Sequence, residues 1–105
     1  MEKYEVLITE EALKDMGEIY QYILLTLQSP ENAIGQYDRI ANEILTLSAF
    51  PNRYRLVDFE PERSRGLRRM LVDNYSVFYI VQGEQVIVTD VLYSGSDIER
   101  RLKEK

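Results

Sequence analysis

Two residue types with strong chemical roles are missing from this 105-residue chain, which contains no cysteine and no histidine. Without cysteine the chain forms no disulfide and has no thiolate nucleophile. Without histidine it lacks the commonest general base and the commonest metal ligand. Any proton transfer would therefore depend on carboxylates, tyrosine, lysine or arginine, and we expect neither a metal site nor a cofactor.

A long apolar stretch is also absent, since no run approaches the roughly 18 residues that a membrane-spanning helix needs. The N-terminal sequence MEKYEVLITEEALKDMGE is rich in acid and has no apolar core of the kind that secretory signal peptides carry. We therefore expect a cytoplasmic protein that makes no contact with a membrane. The length and the 45% hydrophobic content favour one folded domain over residues 1–105.

Charge is distributed unevenly along a chain whose formal net charge is −5. Residues 53–69 hold six arginines against three carboxylates, so the rest of the chain is strongly acidic. The segment could bind a partner, or it could be a solvated loop whose arginines pair with Asp58, Glu60 and Glu62. Its arginines are Arg53, Arg55, Arg63, Arg65, Arg68 and Arg69.

The spacing of apolar residues predicts two helices after a short strand. Residues 4–9 are typical of a strand that ends at a helix N-cap, Thr9. A helical apolar spacing follows, and Ser29-Pro30 predicts the start of a second helix that ends at Pro51. Two amphipathic helices joined by a tight break are typical of an antiparallel hairpin.

The second half of the chain carries three apolar runs, LRRMLV, YSVFYIV and QVIVTDVLY, separated by short turns. Connections this short predict an antiparallel meander of three strands. SGSDIERRLKEK then predicts a loop and a short helix that Ser96 caps together with Glu99. We expect an α+β fold in which a small antiparallel sheet, with the N-terminal strand at one edge, carries the helical hairpin on one face.

Arg68 and Arg69 are neighbours on a predicted strand, so their side chains should point to opposite faces of the sheet. We expect one arginine to be structural, under the helical hairpin and beside a carboxylate, and the other to line a binding face. Which arginine has which role depends on the strand register and stays open at this point.

Seven of the eight tyrosines fall into two groups. Those of the first half, Tyr4, Tyr20, Tyr22 and Tyr37, are expected to pack in or beside the core. Tyr75, Tyr79 and Tyr93 lie on the meander, where sheet packing is the plain interpretation; contact with a partner is the alternative for Tyr75 and Tyr93.

These features together resemble the RelE/ParE superfamily of bacterial toxins from type II toxin–antitoxin modules, which are also described as plasmid stabilisation systems. The resemblance covers nearly the whole chain and is most specific in GLRRMLVDNYSVFYIVQGEQVIVTDVLYSGSD. It implies a growth-inhibiting protein that a cognate antitoxin neutralises by wrapping its C-terminal segment around it. A homodimer and a toxin–antitoxin hetero-oligomer are both compatible with that expectation.

The resemblance is closer to the ParE-like branch, whose members poison DNA gyrase and need no nuclease site. RelE-like members, the alternative, cleave mRNA on the ribosome. Arg69 matches one basic position of such a nuclease, but Ser76 occupies a second and Ser96-Asp97 the region of a third. YSGSD also stands where Arg-Arg-Asp is common, so a third possibility is a decayed member that binds antitoxin without being toxic.

We therefore expect the chain to act by binding rather than by cleaving RNA, with Arg69 as the candidate catalytic residue if it is a nuclease. The expected partners are an antitoxin and DNA gyrase, with the ribosome and mRNA as the alternative. An acidic antitoxin segment would lie against the arginines, as a helix or an added strand. The candidate partner-binding residues are Arg53, Arg55, Arg65, Arg68, Arg69, Tyr75 and Tyr93.

Overall fold

A computed structural model describes residues 3–104, in which a four-stranded sheet packs against two long helices. The strands are β1 (Glu5–Ile8), β2 (Arg68–Val72), β3 (Tyr75–Gln82) and β4 (Gln85–Tyr93), in the spatial order β1-β4-β3-β2. The helices are α1 (Glu10–Gln21), α2 (Pro30–Leu45) and α3 (Ile98–Lys103). The predicted α+β fold is confirmed, and no helix in the described residues is long and apolar enough to cross a membrane.

The sheet is mixed rather than wholly antiparallel, which corrects one part of the expectation. β2, β3 and β4 form the predicted antiparallel meander, but the edge strand β1 runs parallel to β4. β2 and β4 each pair antiparallel with β3, so they run in the same direction, and the parallel pairing with β4 gives β1 that direction too.

The start of α1 is tied to β4 by two polar side chains. Thr9 is the N-cap as predicted: its Oγ1 accepts a hydrogen bond from Ala12 N at 3.2 Å and donates one to Val88 O at 2.9 Å. Further along α1, the buried Asp15 accepts a hydrogen bond from Val91 N at 3.0 Å. The Asp15 carboxylate thus satisfies a β4 amide next to the point where the β3–β4 register shifts.

The connection between the helices is less regular than predicted. α1 passes into a π-helical turn at Tyr22–Thr26, and α2 begins at Pro30. Ser29 occupies the N-cap position of α2, but its side chain makes no capping hydrogen bond. α2 ends at Leu45, before the expected stop at Pro51, and two short 3-10 turns lead into the segment that follows.

Both faces of the sheet are covered, so it has no fully open face. On the hairpin face, α1 and α2 bury a core that includes Met16, Ile40, Ile44, Met70, Val77 and Tyr79. The opposite face is covered by the segment 54–67 and by α3, which enclose a smaller core of Val57, Leu67, Phe78, Leu92 and Ile98. The sequence does not predict that the segment 54–67 covers this face, because its apolar residues are too few and too irregularly spaced to indicate a helix or a strand.

Asp97, not Ser96, caps α3. The Asp97 carboxylate accepts a hydrogen bond from Arg100 N, whereas the Ser96 hydroxyl donates to Tyr93 O at 2.6 Å. Both residue types are good N-caps, and the turn after β4 uses the serine hydroxyl, so the capping role falls to the next residue.

We expect the turn between β2 and β3 to be held against α2 by a charge that titrates in acid. Arg39 Nε donates to Asp73 Oδ2 at 2.8 Å, Gln36 Nε2 donates at 3.0 Å, and these bonds hold the pKa of Asp73 below its ordinary 3.8. Because the folded pKa is depressed, this stabilisation is fully present above the unfolded pKa and is lost as pH falls through the folded one. Asp73→Asn should therefore lower the free energy of unfolding at neutral pH, and the deficit should shrink in acid.

Denaturant unfolding of the parent and of Asp73→Asn, from neutral to acidic pH, measures this difference in the free energy of unfolding. Asparagine suits Asp73, which has a φ of +54°, because it tolerates the left-handed conformation. The matched control is Asp38→Asn, which changes an exposed aspartate of α2. The difference in the free energy of unfolding between this variant and the parent should be the same at neutral and acidic pH. A deficit for Asp73→Asn that is equal at neutral and acidic pH would contradict the tether.

Candidate partner-binding site

A groove of about 800 Å³ lies where the segment after α2 crosses the start of β2. Here residues 55–57 pair with β2: Val57 N donates to Leu67 O at 2.9 Å, and Arg69 N donates to Arg55 O at 3.1 Å. We call this groove the arginine cleft, because five of its lining residues are arginines and Asp58 is its one carboxylate. The arginines are Arg53, Arg55, Arg63, Arg68 and Arg69.

Arg68 points to the hairpin face and is held by the backbone. Its Nη1 donates to Tyr54 O at 2.7 Å and to Asn52 O at 3.3 Å. The carboxylate partner expected for an arginine on this face is therefore replaced by two carbonyl oxygens. Carbonyl dipoles satisfy the guanidinium donors without cancelling the charge, so Arg68 keeps its positive field.

Arg69 points to the opposite face, as strand alternation requires. Its Nε donates to Ser76 Oγ at 2.8 Å, and its guanidinium carbon lies 5.9 Å from the centroid of the Phe78 ring. The Ser76 hydroxyl lies 2.8 Å from that of Ser94, so one short chain of polar atoms links β2, β3 and the turn after β4. Both arginines of the pair thus make structural hydrogen bonds, and both line the cleft.

The other cleft arginines also rest on neutral acceptors where their hydrogen bonds are defined. Arg53 donates to Phe50 O at 3.1 Å and to Thr46 Oγ1 at 3.0 Å, and Arg63 donates to Val57 O at 3.0 Å. Arg53 also lies over the ring of Tyr54, with 4.8 Å between its guanidinium carbon and the ring centroid. These contacts orient the side chains and leave their charges in place.

Within residues 3–104, no cleft arginine forms a salt bridge with a carboxylate. Two of the three acids of the segment are engaged elsewhere: Glu60 accepts from Ser64 N, and Glu62 pairs with Lys103 Nζ at 2.9 Å. The lysine hydrogen bond also lowers the pKa of Glu62, and the serine bonds lower that of Glu60. The cleft is therefore a concentrated positive surface on an acidic protein.

Arg65 is the one proposed binding arginine that does not line the cleft. It lies in the turn that precedes β2, where its backbone N donates to Pro61 O at 3.1 Å. Arg63, which was noted in the cluster but not chosen as a binding residue, takes the place in the cleft. Arg63 and Arg65 are only two residues apart. Because the turn that carries them is irregular, the sequence does not predict which of the two side chains faces the cleft.

A second groove, of about 610 Å³, lies between the end of α1 and the open end of the β3–β4 hairpin, where β3 begins and β4 ends. Tyr75 and Tyr93 face each other here edge to face, with their ring centroids 6.0 Å apart. Tyr22 lines the same groove from the π-helical turn, and we call it the tyrosine groove. The structure thus brings Tyr75 and Tyr93 together, in a groove separate from the arginine cleft.

Tyr22 was expected in or beside the core, but 55% of it is exposed. Tyr22 is the first residue of the π-helical turn, which alters the helical spacing at this point and leaves the side chain outside the packed face. Tyr75 is the most enclosed of the three, and burial raises the pKa of its phenol, with smaller contributions from Tyr22 and Tyr93.

The fold and the two grooves define a small α+β protein with a strongly basic surface cleft. The model of the ParE toxin family of type II toxin–antitoxin systems, parDE, matches residues 6–98. The chain belongs to this family and is a toxin of the type II toxin–antitoxin class.

Two solved structures share the fold. The chromosomal ParDE system of P. aeruginosa contains a chain that is 20% identical, with a TM-score of 0.72, and the match covers 87% of this chain and 96% of that one. The RelBE2 toxin–antitoxin complex of Mycobacterium tuberculosis contains one that is 17% identical, with a TM-score of 0.64 and coverages of 91% and 97%. Comparison with curated protein sequences gives no match.

We expect the ring of Tyr93 to depend on the absence of a side chain at Gly95. A Cβ built at Gly95 would lie 2.5 Å from Cε2 and 2.9 Å from Cζ of Tyr93, closer than real Cβ contacts. Gly95→Ala should therefore move the Tyr93 ring and disturb its contact with Tyr75, while the fold remains. Shifts of the ring resonances of both tyrosines in NMR spectra measure this change.

The matched control is Gly17→Ala in α1, where an added Cβ has no heavy atom within 4 Å. That variant should raise the free energy of unfolding by about 1 kcal/mol, because alanine is the better helix former, and should leave the ring resonances of Tyr75 and Tyr93 in place. Unchanged ring resonances in Gly95→Ala would contradict the packing of Tyr93 on the turn.

Proposed function

We propose that this toxin inhibits growth by binding an essential target of the DNA gyrase type, and that an acidic segment of a cognate antitoxin neutralises it at the arginine cleft. The observation that carries the antitoxin part is the set of five cleft guanidiniums without a salt bridge among the described residues. An acidic chain would supply the missing carboxylates, and charge complementarity of this kind speeds association and sets register.

The free edge of β2 supports an extended antitoxin segment beside the cleft. Arg69 N points outward to Arg55 O, so the backbone groups of Leu71, two residues on, point to the same outer edge, beyond the end of the 55–57 pairing. The Leu71 side chain is 62% exposed. A strand added here would place alternate side chains against the arginines. The ParDE and RelBE2 structures are of toxin–antitoxin systems, which agrees with such a partner.

Binding, rather than RNA cleavage, is the activity that the residues around Arg69 favour. Cleavage would need cations to hold the phosphate and a group to move the proton of the 2′-hydroxyl. Arg69 is half-buried with its Nε on Ser76, a buried serine at the position where a RelE-like nuclease is expected to carry a second arginine. A ribosome-dependent ribonuclease is kept as the second candidate because the cleft collects cations around one carboxylate, that of Asp58.

The target is tested with purified components. The chain should inhibit DNA supercoiling by gyrase or trap the enzyme on cleaved DNA, and should leave mRNA intact on programmed ribosomes. Cleavage of mRNA that needs ribosomes and disappears in Arg69→Ala would overturn the proposal and favour the nuclease. Inactivity in both assays, with antitoxin binding retained, would identify a member that has lost its toxicity.

The antitoxin site is tested by charge reversal inside and outside the cleft. The double variant Arg55→Glu with Arg63→Glu should bind the product of the adjoining gene at least about tenfold more weakly than the parent, and the parent complex should weaken in high salt. Arg65→Glu with Arg100→Glu makes the same change of charge at exposed arginines outside the cleft. Equal losses in the two double variants would show that net charge, not the cleft, drives the association.

A further inference from the structure

We propose that the tyrosine groove is a second protein-docking site, and that it takes an arginine or lysine side chain from an apolar segment of a partner. Its chemistry is the opposite of that of the arginine cleft, so the two sites would select different segments. The proposal is independent of the antitoxin proposed for the arginine cleft, because it rests on a different set of side chains.

The aromatic walls of the groove fit a cationic group. Tyr22, Tyr75 and Tyr93 come from two sides of the groove, and the last two already meet edge to face. The electron-rich faces of tyrosine rings attract ammonium and guanidinium groups, most strongly where water is partly excluded. Tyr22 and Tyr93 are each about half exposed, at 55% and 52%, so a guest can reach their rings without unfolding the groove.

The charges of the groove lie on two sides, with the acids on α1 and the base on α3. The wall formed by α1 contributes Glu18 and the buried Asp15, whereas the guanidinium of Arg101 is the one basic group on the lining. The Asp15 carboxylate accepts the amide of Val91 and is buried, so the exposed Glu18 is the acid that a guest can reach. A guest cation would therefore lie towards α1, away from Arg101.

Exposed apolar side chains lie in the groove and beside it, among polar ones such as Lys14 and Gln21. Ile19 and Leu27 line the groove, and a shallower depression next to it shares Tyr22 and Glu18 and reaches the exposed Leu25. Leu25 and Leu27 are 66% and 57% exposed. Exposed leucines beside a shared tyrosine are typical of an interaction surface, and they fit apolar residues on both sides of the guest cation.

The test uses three blocked peptides that differ at one position: acetyl-Leu-Ala-Arg-Ala-Leu-amide and its Gln and Glu counterparts. Titration of the full chain, followed by the ring resonances of Tyr22, Tyr75 and Tyr93, should show the Arg peptide binding about three- to tenfold more tightly than the Gln peptide. The Glu peptide should leave these rings unchanged. Equal binding of the Arg and Gln peptides, tighter binding of the Glu peptide, or no ring shift at millimolar peptide would overturn the proposal.

Variants distinguish specific binding of the cationic side chain from nonspecific binding of the peptide. Glu18→Gln and Tyr93→Leu should each weaken the Arg peptide severalfold without affecting the Gln peptide, and Arg101→Gln should strengthen it. Phe50→Leu, which changes an exposed aromatic residue that lines neither groove, is the matched control and should leave binding unchanged. Arg55→Glu with Arg63→Glu should also leave it unchanged, so a failure of the antitoxin proposal would not affect this one.

Ring shifts that follow protein concentration without added peptide would instead identify a second copy of the chain as the occupant, and would contradict the proposal. Sedimentation of the parent and of Tyr93→Leu over the same concentrations distinguishes this outcome.

Discussion

The burial of both faces of β3 is the constraint on which the rest of the structure depends. Val77 and Tyr79 face the helical hairpin, while Phe78, between them, faces the segment 54–67 and α3. All three are fully buried, so the chain must supply a cover for each face. Tyr79 also donates its hydroxyl to Pro51 O at 2.6 Å, and its burial raises the pKa of that phenol to about 12. This bond anchors the point from which the second cover starts.

The arginine cleft follows from that arrangement. The covering segment must cross the edge of the sheet at β2, and it carries its arginines to the crossing. There the guanidiniums of Arg53, Arg63 and Arg68 bind backbone carbonyls of the irregular segment. The same contacts that hold the segment therefore preorganise positive charge at an open strand edge. A partner that fills the cleft would meet fixed side chains and lose little affinity to ordering them.

Most of the architecture could be predicted from sequence because periodicity and short turns report it directly. The three meander strands, the capping role of Thr9 and the two long helices are all confirmed. The parallel pairing of β1 with β4 was not predictable, since it depends on the path that the irregular segment 46–67 takes from α2 to β2. The apolar spacing of the two helices includes Leu13 and Ile34, which are about half exposed, while the small Ala12 and Ala33 are buried, because close helix packing favours short side chains. For the site, strand alternation separated Arg68 from Arg69, but the two grooves arise from irregular segments that carry no period.

The central claim is that this toxin acts by binding a target of the gyrase type rather than by destroying mRNA. The most direct test is to induce the chain in a bacterial host and follow the incorporation of labelled thymidine and labelled amino acids over the first minutes. The account predicts that thymidine incorporation stops first, while protein synthesis continues. An early arrest of amino-acid incorporation, with DNA synthesis unaffected, would contradict it.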